Sequence, residues 1–355
     1  MTLAVRHTAR RLALVVAAAV VVLTGVQAPG ANAATGLPRL NVTRDYVTGI
    51  SSGGYMATQL QIAYSSRFRA AGIFSAGPYW CAQDSVAIAL QACSDDTVPI
   101  DLQPLYAQTA QYAQQHKIDS LANLARSRTY FFHGTLDSTV KTPVADALAT
   151  YYRHYGVPLT YRNTRAAGHG WISKLGPVAC GNTGAPYINN CAPYDAQADL
   201  LRTMTGSVNA PNTGTPRGRL TTFSQDRYAV APTAGNGDVS RTGAVAIGMG
   251  STGYLYTPNS CASGAQCSVV VALHGCLQTA EQIGSTFARE SRLNQYADTN
   301  HFVVLYPQAR PDDTFGNPKG CWDWWGYLGA NDTDYANKLG PQMRTVMRMV
   351  TALGG

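Results

Sequence analysis

The sequence predicts an α/β fold, a mainly parallel sheet with helices on both faces. Two observations carry this prediction. Short runs rich in β-branched and aromatic residues alternate with segments of helical spacing, and most of these runs end at glycine-containing turns. The chain has 355 residues, which is within the range of one large α/β domain with its own core.

The first half of the chain supplies alternating strands and helices. An extended run, Tyr46-Val47-Thr48, precedes a glycine-rich turn and a segment with apolar residues at helical spacing. Two further strands, a helix with a proline near its start and a last strand follow. The predicted ranges are Tyr55 to Arg67 (helix), Ala70 to Ala76 (strand), Arg128 to Phe132 (strand), Thr142 to Tyr155 (helix) and a strand from Thr160 that ends before Gly168.

A change of composition divides the chain near its middle. Between residues 205 and 219 Gly, Pro, Asn and Thr dominate and no periodicity remains, which predicts a linker. Beyond it we expect two antiparallel strands, an apolar strand, a helix, another strand and an amphipathic C-terminal helix. The respective ranges are Leu220 to Ser224, Ala244 to Tyr256, Ser268 to Leu273, Ala280 to Thr299, Phe302 to Tyr306 and Gln342 to Leu353.

Residues 1–33 have the pattern of a secretory signal peptide. Three arginines precede the apolar stretch Leu12 to Val22, and Ala31-Asn32-Ala33 supplies the small residues of a cleavage site. A retained membrane anchor is the alternative, but the apolar run is short for a span and Pro29 follows it. We therefore expect a secreted mature chain, residues 34–355, that forms a single domain with no membrane segment and no separate polymer-binding domain.

The charge of the mature chain is mild. A formal net charge of +7 for the whole sequence becomes +4 once the three arginines of residues 1–33, a segment without acidic residues, are removed. Basic runs with interleaved aromatic residues do not occur in the sequence. Nucleic-acid binding is therefore not expected.

All eight cysteines lie in the mature chain, and an even number of cysteines in an exported protein indicates disulfides. Sequence neighbours suggest four pairs, although eight cysteines allow 105 pairings and the sequence does not decide between them. No C-x-x-C pair occurs, and we expect neither a metal site nor a cofactor. The suggested pairs are Cys81 with Cys93, Cys180 with Cys191, Cys261 with Cys267, and Cys276 with Cys321.

A G-x-S-x-G motif, Gly49 to Gly53, lies where the first predicted strand turns into the first predicted helix. In a nucleophile elbow the glycines let strand and helix approach each other, and the strained turn exposes the serine hydroxyl. The alternative is an ordinary Gly/Ser turn, unless a histidine, an acid and an oxyanion donor occur in compatible places. The motif predicts Ser51 as a nucleophile.

A serine nucleophile needs a base, and the base needs an acid that orients it. Asp137 follows the third predicted strand, and His169 lies between two glycines after the next one, so both fall on the sheet edge where Ser51 lies. The chain order Ser, Asp, His is that of α/β-hydrolases. A turn residue and a solvated histidine are the alternatives for Asp137 and His169. The rival candidates are the acids Asp119, Asp146 and Asp195 and the histidine His133, for which a core role is expected.

The oxyanion hole of such a site takes two backbone N–H groups. One belongs to the residue after the nucleophile, here Ser52, and the other to a loop with an HG motif. Two such motifs occur, His133-Gly134 and His274-Gly275, and because the first lies beside Asp137 we assign the second donor to Cys276. A disulfide at Cys276 would hold that donor rigid.

The HG loop comes late in the chain. In ordinary α/β-hydrolases it precedes the nucleophile, whereas here it follows His169. Joining the C-terminal helix to the first strand restores the usual order of HG loop, strand, helix, elbow, acid and histidine. We therefore predict a circularly permuted α/β-hydrolase fold, stabilised by disulfides, in which the linker of residues 205–219 bridges the original ends.

Six segments of the sequence carry a family resemblance. They are GISSGGYM at 49–56, AGPY at 76–79, HGTLD at 133–137, GHGW at 168–171, LHGC at 273–276 and CWDWW at 321–325. Together they resemble the extracellular poly(3-hydroxybutyrate) depolymerases, and more narrowly the group whose catalytic domain is circularly permuted. The resemblance covers nearly all of the mature chain. It implies Ser51 as nucleophile, His169 as base, Asp137 as acid, and the N–H groups of Ser52 and Cys276 as oxyanion donors.

This resemblance implies a secreted serine esterase that cleaves poly(3-hydroxybutyrate) and its oligomers through an acyl-enzyme, and we expect it to act as a monomer. Many members carry a polymer-binding domain after the catalytic one. Here we expect adsorption through exposed apolar surface, as in single-domain members. A neutral, moderately apolar polyester should be met by aromatic groups. The candidates, with core packing as the alternative, are Trp171, Trp322, Trp324, Trp325 and Tyr327.

Two other functions stay open on the sequence. Unpermuted relatives with the same HGC and CWxW elements act on plant cell-wall esters, so a secreted feruloyl or acetyl esterase is the closest alternative. A non-catalytic polymer-binding protein on a hydrolase scaffold is the other. It is disfavoured because all five positions of the expected site hold suitable residues.

Overall fold

The computed structural model describes residue 1, residues 35–329 and residues 333–355. The predicted signal peptide therefore lies, apart from Met1, outside the described residues. All helices and strands described below belong to one unit, residues 33–355. None of the helices in the described ranges combines the length and the apolar composition needed to cross a membrane.

Eight of the strands in the described residues form one sheet, in the order β4-β3-β2-β1-β10-β11-β9-β8. Neighbouring strands run parallel except where β9 pairs with β11 and with β8. Three short strands, β5 to β7, form a second sheet. The strands are β1 (Val42–Ile50), β2 (Phe68–Phe74), β3 (Arg128–Phe132), β4 (Leu159–Arg162), β5 (Trp171–Ile172), β6 (Val178–Ala179), β7 (Ile188–Asn190), β8 (Arg219–Ser224), β9 (Thr252–Thr257), β10 (Cys267–Leu273) and β11 (Phe302–Tyr306).

Helices cover both faces of the large sheet. The α-helices are α1 (Ser52–Ala63), α2 (Val86–Gln91), α3 (Leu102–Gln114), α4 (Thr142–His154), α5 (Ala196–Thr205), α6 (Asn259–Ala262), α7 (Ala280–Ile283), α8 (Thr286–Glu290), α9 (Leu293–Asn300) and α10 (Pro341–Leu353). Short 3₁₀ helices occupy Leu121–Arg126, Ala244–Ile247 and Asp313–Phe315. Every residue of α1 is buried, so this helix lies inside the fold.

Two hydrophobic cores lie on opposite sides of the sheet because successive side chains of a strand point to opposite faces. In β1, Val47 belongs to the core that contains α1, α3, α4 and α10. Its neighbours Tyr46 and Ile50 belong to the core that contains α5, α8 and α9. The predicted α/β fold, with a mainly parallel sheet between two helical layers, is confirmed.

The predicted elements are wrong in two places. The strand expected over Ala244 to Tyr256 is a 3₁₀ turn followed by β9, because Gly243 and Gly248 adopt φ values of 72° and 68° that no strand accommodates. The helix expected over Ala280 to Thr299 is three short helices. Gly284 with φ 60° ends the first of these, and Arg292 with φ 66° precedes the last.

The two ends of the described chain meet at β1. The Leu40 N–H donates to the Leu353 carbonyl oxygen at 2.9 Å, so the C-terminal helix α10 ends where β1 is about to begin. Joining these ends in thought gives HG loop, β11, α10, β1, elbow, acid and histidine. This is the element order of an α/β-hydrolase. The chain has the circularly permuted fold that its sequence predicts.

Four disulfides stabilise this fold, and their pairing is the one that sequence neighbours suggest. Three of them close local loops, Cys81 with Cys93, Cys180 with Cys191, and Cys261 with Cys267. The fourth, Cys276 with Cys321, spans 45 residues and joins the HGC segment to the CWDWW segment.

The permutation predicts that the chain can be reopened at its linker. A variant with a short Gly/Ser linker from Gly355 to Gly36, and new ends between Thr213 and Gly214, should fold, because both new terminal residues are exposed. We expect the far-ultraviolet circular dichroism spectrum of the original chain, because such openings leave the core contacts intact. An insoluble or unfolded product would contradict the inferred ancestry of the linker. A second opening inside α1 serves as the control that should fail.

Candidate active site

The turn after β1 has the geometry of a nucleophile elbow. Ser51 adopts φ 56° and ψ −123°, a strained conformation for a residue with a side chain. A Cβ on Gly49 would lie 2.1 Å from the Gly53 carbonyl oxygen, and one on Gly53 would lie 2.3 Å from the His274 carbonyl oxygen. Both positions therefore require glycine. The close packing holds Ser51, which is partly exposed, at the carboxyl edge of the sheet.

The expected acid and base form a buried pair at the same edge. The carboxylate Oδ2 of Asp137 lies 2.8 Å from Nδ1 of His169. The other oxygen, Oδ1, accepts hydrogen bonds from the backbone N–H groups of Thr139 and Val140, at 2.9 and 3.0 Å. The Asp137 side chain is inaccessible to solvent and that of His169 nearly so. Both groups are therefore fixed before any substrate arrives.

The charge state of Asp137 follows from these contacts. Burial by itself raises the pKa of the carboxyl, but the neighbouring His169 and the hydrogen bonds outweigh burial and lower that pKa below its ordinary value. The carboxylate therefore stays ionised and accepts the Nδ1 proton of His169. This leaves Nε2 of His169 as the atom that can take a proton.

The rival residues are engaged elsewhere. Asp119 forms an ion pair with Lys338, Asp146 accepts from the Tyr161 hydroxyl, and Asp195 pairs with Arg292. His133 is fully buried, and its Nε2 lies 3.3 Å from the Thr142 hydroxyl. Burial lowers the pKa of His133 and keeps the ring neutral.

The HGC segment lies beside the elbow because β10 pairs with β1. A Cβ on Gly275 would lie 3.3 Å from the Cβ of Ser51. In the described part of the chain, the N–H groups of Ser52 and Cys276 donate to no protein acceptor. The Ser52 N–H also opens α1, so the partial positive charge of the helix N-terminus adds to it. Two free N–H groups beside a serine hydroxyl can stabilise an oxyanion.

The other polar groups of the HGC segment are occupied. The His274 carbonyl oxygen accepts from the Trp322 indole N–H at 3.0 Å, and the Gly275 N–H donates to Oε1 of Gln278 at 2.6 Å. The Gly275 carbonyl oxygen lies 2.7 Å from Nδ1 of His274. Because a trans peptide unit points its C=O and N–H in opposite directions, fixing the Gly275 carbonyl also fixes the direction of the Cys276 N–H.

His274 holds the Gly275 carbonyl in its neutral form. Full burial lowers its pKa to about 4. Its Nε2 accepts the Ala309 N–H at 3.1 Å, which leaves the ring proton on Nδ1 for the Gly275 carbonyl. Sequence analysis gave no role to His274 beyond the HG motif and none to Gln278. A glutamine two residues after HGC was the signal available for the second.

The aromatic candidates for substrate binding divide into two groups. Trp171 and Trp322 are fully buried, so the expectation that they line the cleft is wrong. Their indole N–H groups bond the carbonyls of Ser291 and His274, because a buried indole needs an acceptor.

The remaining three aromatic candidates differ in exposure, because Trp324 is buried in the core and the other two are partly exposed. Trp324 stacks on Tyr55 with ring centroids 4.0 Å apart, and Tyr55 lies one helical turn after Ser51. Trp325 and Tyr327 are partly exposed, with centroids 4.9 Å apart. The Tyr327 hydroxyl donates to the Cys321 carbonyl oxygen at 3.0 Å, which leaves its ring as the part that can meet a ligand.

Taken together, the fold and the chemistry at this sheet edge define an enzyme class, the serine hydrolases with the α/β-hydrolase fold. Residues 252–351 match the family model described as Esterase PHB depolymerase, where PHB is poly(3-hydroxybutyrate). Residues 30–176 match the model of the Prolyl oligopeptidase family, another family of serine hydrolases. The two matches fall on either side of the linker.

Known relatives narrow the class to a family. The chain is 39% identical over 328 residues to a poly(3-hydroxybutyrate) depolymerase of Delftia acidovorans. The aligned region covers 90% of this chain and 62% of that relative. The chain is also 39% identical over 317 residues to a polyhydroxybutyrate depolymerase of Talaromyces funiculosus, covering 84% and 87%. A PHB depolymerase solved in complex with an R3HB trimer superposes with a TM-score of 0.78 at 34% identity, covering 90% of this chain and 98% of that one. The chain belongs to the PHB depolymerase family.

The Asp137–His169 pair generates the first prediction for the site. Replacing Asp137 by Asn should lower kcat on a soluble p-nitrophenyl ester by about 10³- to 10⁴-fold, because the amide favours the wrong histidine tautomer. KM should change little. Asp146→Asn is the matched control, because Asp146 bonds an exposed tyrosine hydroxyl instead. Equal activity of the two variants would contradict the assignment of Asp137.

The disulfide at the HGC segment generates a second prediction. Loop closure entropy predicts that Cys276→Ser/Cys321→Ser loses about 4 kcal/mol of unfolding free energy, and that Cys261→Ser/Cys267→Ser loses about 2 kcal/mol. Urea denaturation measures both losses. Only the first variant should also lose kcat, by about tenfold, because it loosens an oxyanion donor. An unchanged kcat in the first variant would show that the disulfide is not needed to position Cys276.

Proposed function

We propose that this protein is a secreted serine esterase that hydrolyses the ester bonds of poly(3-hydroxybutyrate) and its oligomers. One observation carries the proposal. One solved relative that matches the fold over 90% of this chain is a PHB depolymerase complexed with an R3HB trimer. The chain spans 62% of the length of the Delftia relative.

The first half of the reaction acylates Ser51. His169 Nε2 takes the Ser51 hydroxyl proton while Oγ bonds the ester carbonyl carbon. The carbonyl oxygen becomes an oxyanion and accepts hydrogen bonds from the N–H groups of Ser52 and Cys276. When the tetrahedral intermediate collapses, the ester C–O bond breaks, and His169 returns its proton to the leaving alkoxide. A chain with a new hydroxyl end departs.

The second half hydrolyses the acyl-enzyme. Water attacks the acyl carbon as His169 takes one of its protons, and the same N–H groups bind the second oxyanion. Collapse breaks the bond to Ser51 Oγ, which takes the proton back. The released product carries a carboxyl end. The ionised Asp137 stabilises the imidazolium in both halves without accepting its proton.

The chemistry of the substrate fits the surroundings of the site. The polyester is neutral, and aromatic faces meet it without desolvating a charge. The partly exposed Trp325 and Tyr327 supply such faces near the HGC segment, because Cys321 is bonded to Cys276.

The organisation of the chain belongs to the same proposal. Residues 1–33 serve as a signal peptide, and residues 34–355 act as one catalytic domain with its permutation linker near 205–219. Four disulfides in the described residues suit an oxidising, extracellular setting. We expect the mature protein to be a monomer without affinity for nucleic acid.

Ser51→Ala tests the function directly. The wild-type protein should clear a suspension of amorphous polyhydroxybutyrate and release hydroxybutyrate monomers or oligomers, and the variant should show no turnover above background. Circular dichroism and the absence of free thiols should be the same for both, because Ser51 makes no side-chain bond in the described structure. Wild-type-like clearing by the variant would refute the role of Ser51.

Side-by-side assays separate the alternative functions. Faster turnover of methyl ferulate or acetylated xylan than of polyhydroxybutyrate would favour a cell-wall esterase. Binding to polyhydroxybutyrate without hydrolysis, together with no labelling by a fluorophosphonate, would favour a non-catalytic polymer-binding protein.

A further inference from the structure

One buried side chain connects the oxyanion loop, defined as residues 274–278, to the region that holds the expected base. Gln278 is 1% exposed. Its Oε1 accepts the Gly275 N–H at 2.6 Å, and its Nε2 donates to the carbonyl oxygens of Pro186 at 2.8 Å and Tyr187 at 3.3 Å. The amide therefore uses both its donor and its acceptor on backbone groups of two different segments.

The segment at the far end of Gln278 positions His169. The Cys180–Cys191 disulfide closes a loop, called here the histidine loop, of residues 180–191. Thr183 of this loop accepts the His169 N–H at 2.9 Å through its hydroxyl. The Tyr187 carbonyl oxygen accepts the Trp171 N–H at 2.8 Å, two residues beyond His169. By bonding Pro186 and Tyr187, Gln278 therefore contacts the loop that holds the backbone around His169.

No disulfide among the described residues joins these two loops. The Cys276–Cys321 bond ties the oxyanion loop to the CWDWW segment, and the Cys180–Cys191 bond stays within the histidine loop. Of the hydrogen bonds formed by residues 274–278 in the described structure, those of Gln278 are the ones that reach the histidine loop. It bridges positions 92 residues apart.

The Gly275 N–H that Gln278 engages adjoins the peptide unit that matters most for an oxyanion. With this N–H bonded to Gln278 and the Gly275 carbonyl bonded to His274, the Cys276 N–H is left free in a fixed direction. The amide of Gln278 prevents the Gly275 N–H from competing for the oxyanion and restrains rotation of the loop at the residue before the donor.

We propose that Gln278 is a positioning residue that sets the distance between the Cys276 N–H and the ring of His169. It touches neither substrate nor the reacting atoms and acts through the two loops that it joins. The proposal rests on the proposed esterase function. It predicts a loss confined to the transition state, because the ground-state ester uses neither the oxyanion donor nor the base fully.

Gln278→Ala removes both bonds. We expect kcat on p-nitrophenyl butyrate to fall about tenfold, with KM within about twofold, because only transition-state interactions are weakened. The rate of inactivation by a fluorophosphonate, whose attack by Ser51 passes through a similar oxyanion, should fall by a similar factor. An unchanged kcat at full folding would overturn the proposal.

Gln278→Glu distinguishes a positioning role from a purely structural one through the pH dependence of kcat. The protonated carboxyl can accept from Gly275 and donate to Pro186 as the amide does, whereas the ionised carboxylate repels the Pro186 carbonyl and places a negative charge near the oxyanion. The ratio of variant to wild-type kcat should therefore be highest at acidic pH and fall as pH rises. A ratio independent of pH would count against the proposal.

Gln282→Ala is the matched control. Gln282 lies on the same segment and forms a capping box with Thr279 at the start of α7. Its loss should lower the melting temperature slightly and leave kcat unchanged, because it contacts neither loop. An equal loss of kcat in Gln282→Ala and Gln278→Ala would show that the effect of Gln278 comes from lowered stability and would contradict the proposal.

Failure of this inference and failure of the proposed function give different results. If the wild type hydrolyses neither the soluble ester nor the polymer, the proposed function is wrong, and the inference falls with it. If the wild type is active and Gln278→Ala, folded by its melting curve, is equally active, only the inference is wrong. If Gln278→Glu does not fold, the comparison of Gln278→Ala with Gln282→Ala still decides the outcome.

Discussion

The parallel pairing of β1 with β10 is the interaction on which the site depends. Gly49 lies opposite Leu273 in the register, so the elbow and the oxyanion loop leave the sheet side by side at its carboxyl edge. The approach is so close that a Cβ on Gly53 would lie 2.3 Å from the His274 carbonyl oxygen. The backbone of the sheet therefore brings the elbow and the oxyanion loop together, and side-chain contacts of His274 and Gln278 then fix the direction of the Cys276 N–H.

The oxyanion loop shows how a buried segment can keep one donor free. A buried polar group without a partner costs about 1–3 kcal/mol, and the loop avoids this cost at its buried residues His274 and Gly275. Trp322, Gln278 and His274 bond the neighbouring carbonyl and N–H groups. Cys276 itself is partly exposed, and its N–H is left available to an oxyanion, as a preorganised donor must be.

Sequence predicts those parts of this structure that local spacing and chain order encode. The fold was predicted from alternating strands and helices, and the site residues from the glycines around Ser51 and the order Ser51, Asp137, His169. The late position of the HG loop predicted the circular permutation.

Residues that act through distant contacts could not be predicted in this way. Nothing near Gln278 in the sequence indicates Pro186 as its partner. The local sequence around Trp171 and Trp322 does not distinguish them from exposed aromatic residues, although tertiary packing buries both tryptophans. The break in the helix expected from Ala280 depends on the backbone at Arg292, which propensity does not specify.

The permutation changes what holds such a site together. Ser51, Asp137 and His169 come from the segment before residues 205–219, and the oxyanion loop comes from the segment after them. In the unpermuted order residues 274–355 and 34–51, about 100 residues, would separate the HG loop from the elbow, whereas here the paired residues Gly49 and Leu273 are more than 200 residues apart. Closing the longer loop costs more chain entropy. Buried amides cross the divide at more than one point. Gln59 on α1 donates to the Asp323 carbonyl oxygen at 3.1 Å, and Gln278 reaches Pro186. Because Ser51 and the Cys276 N–H lie on different segments, these crossing bonds fix the relative position of the two groups as well as stabilising the fold.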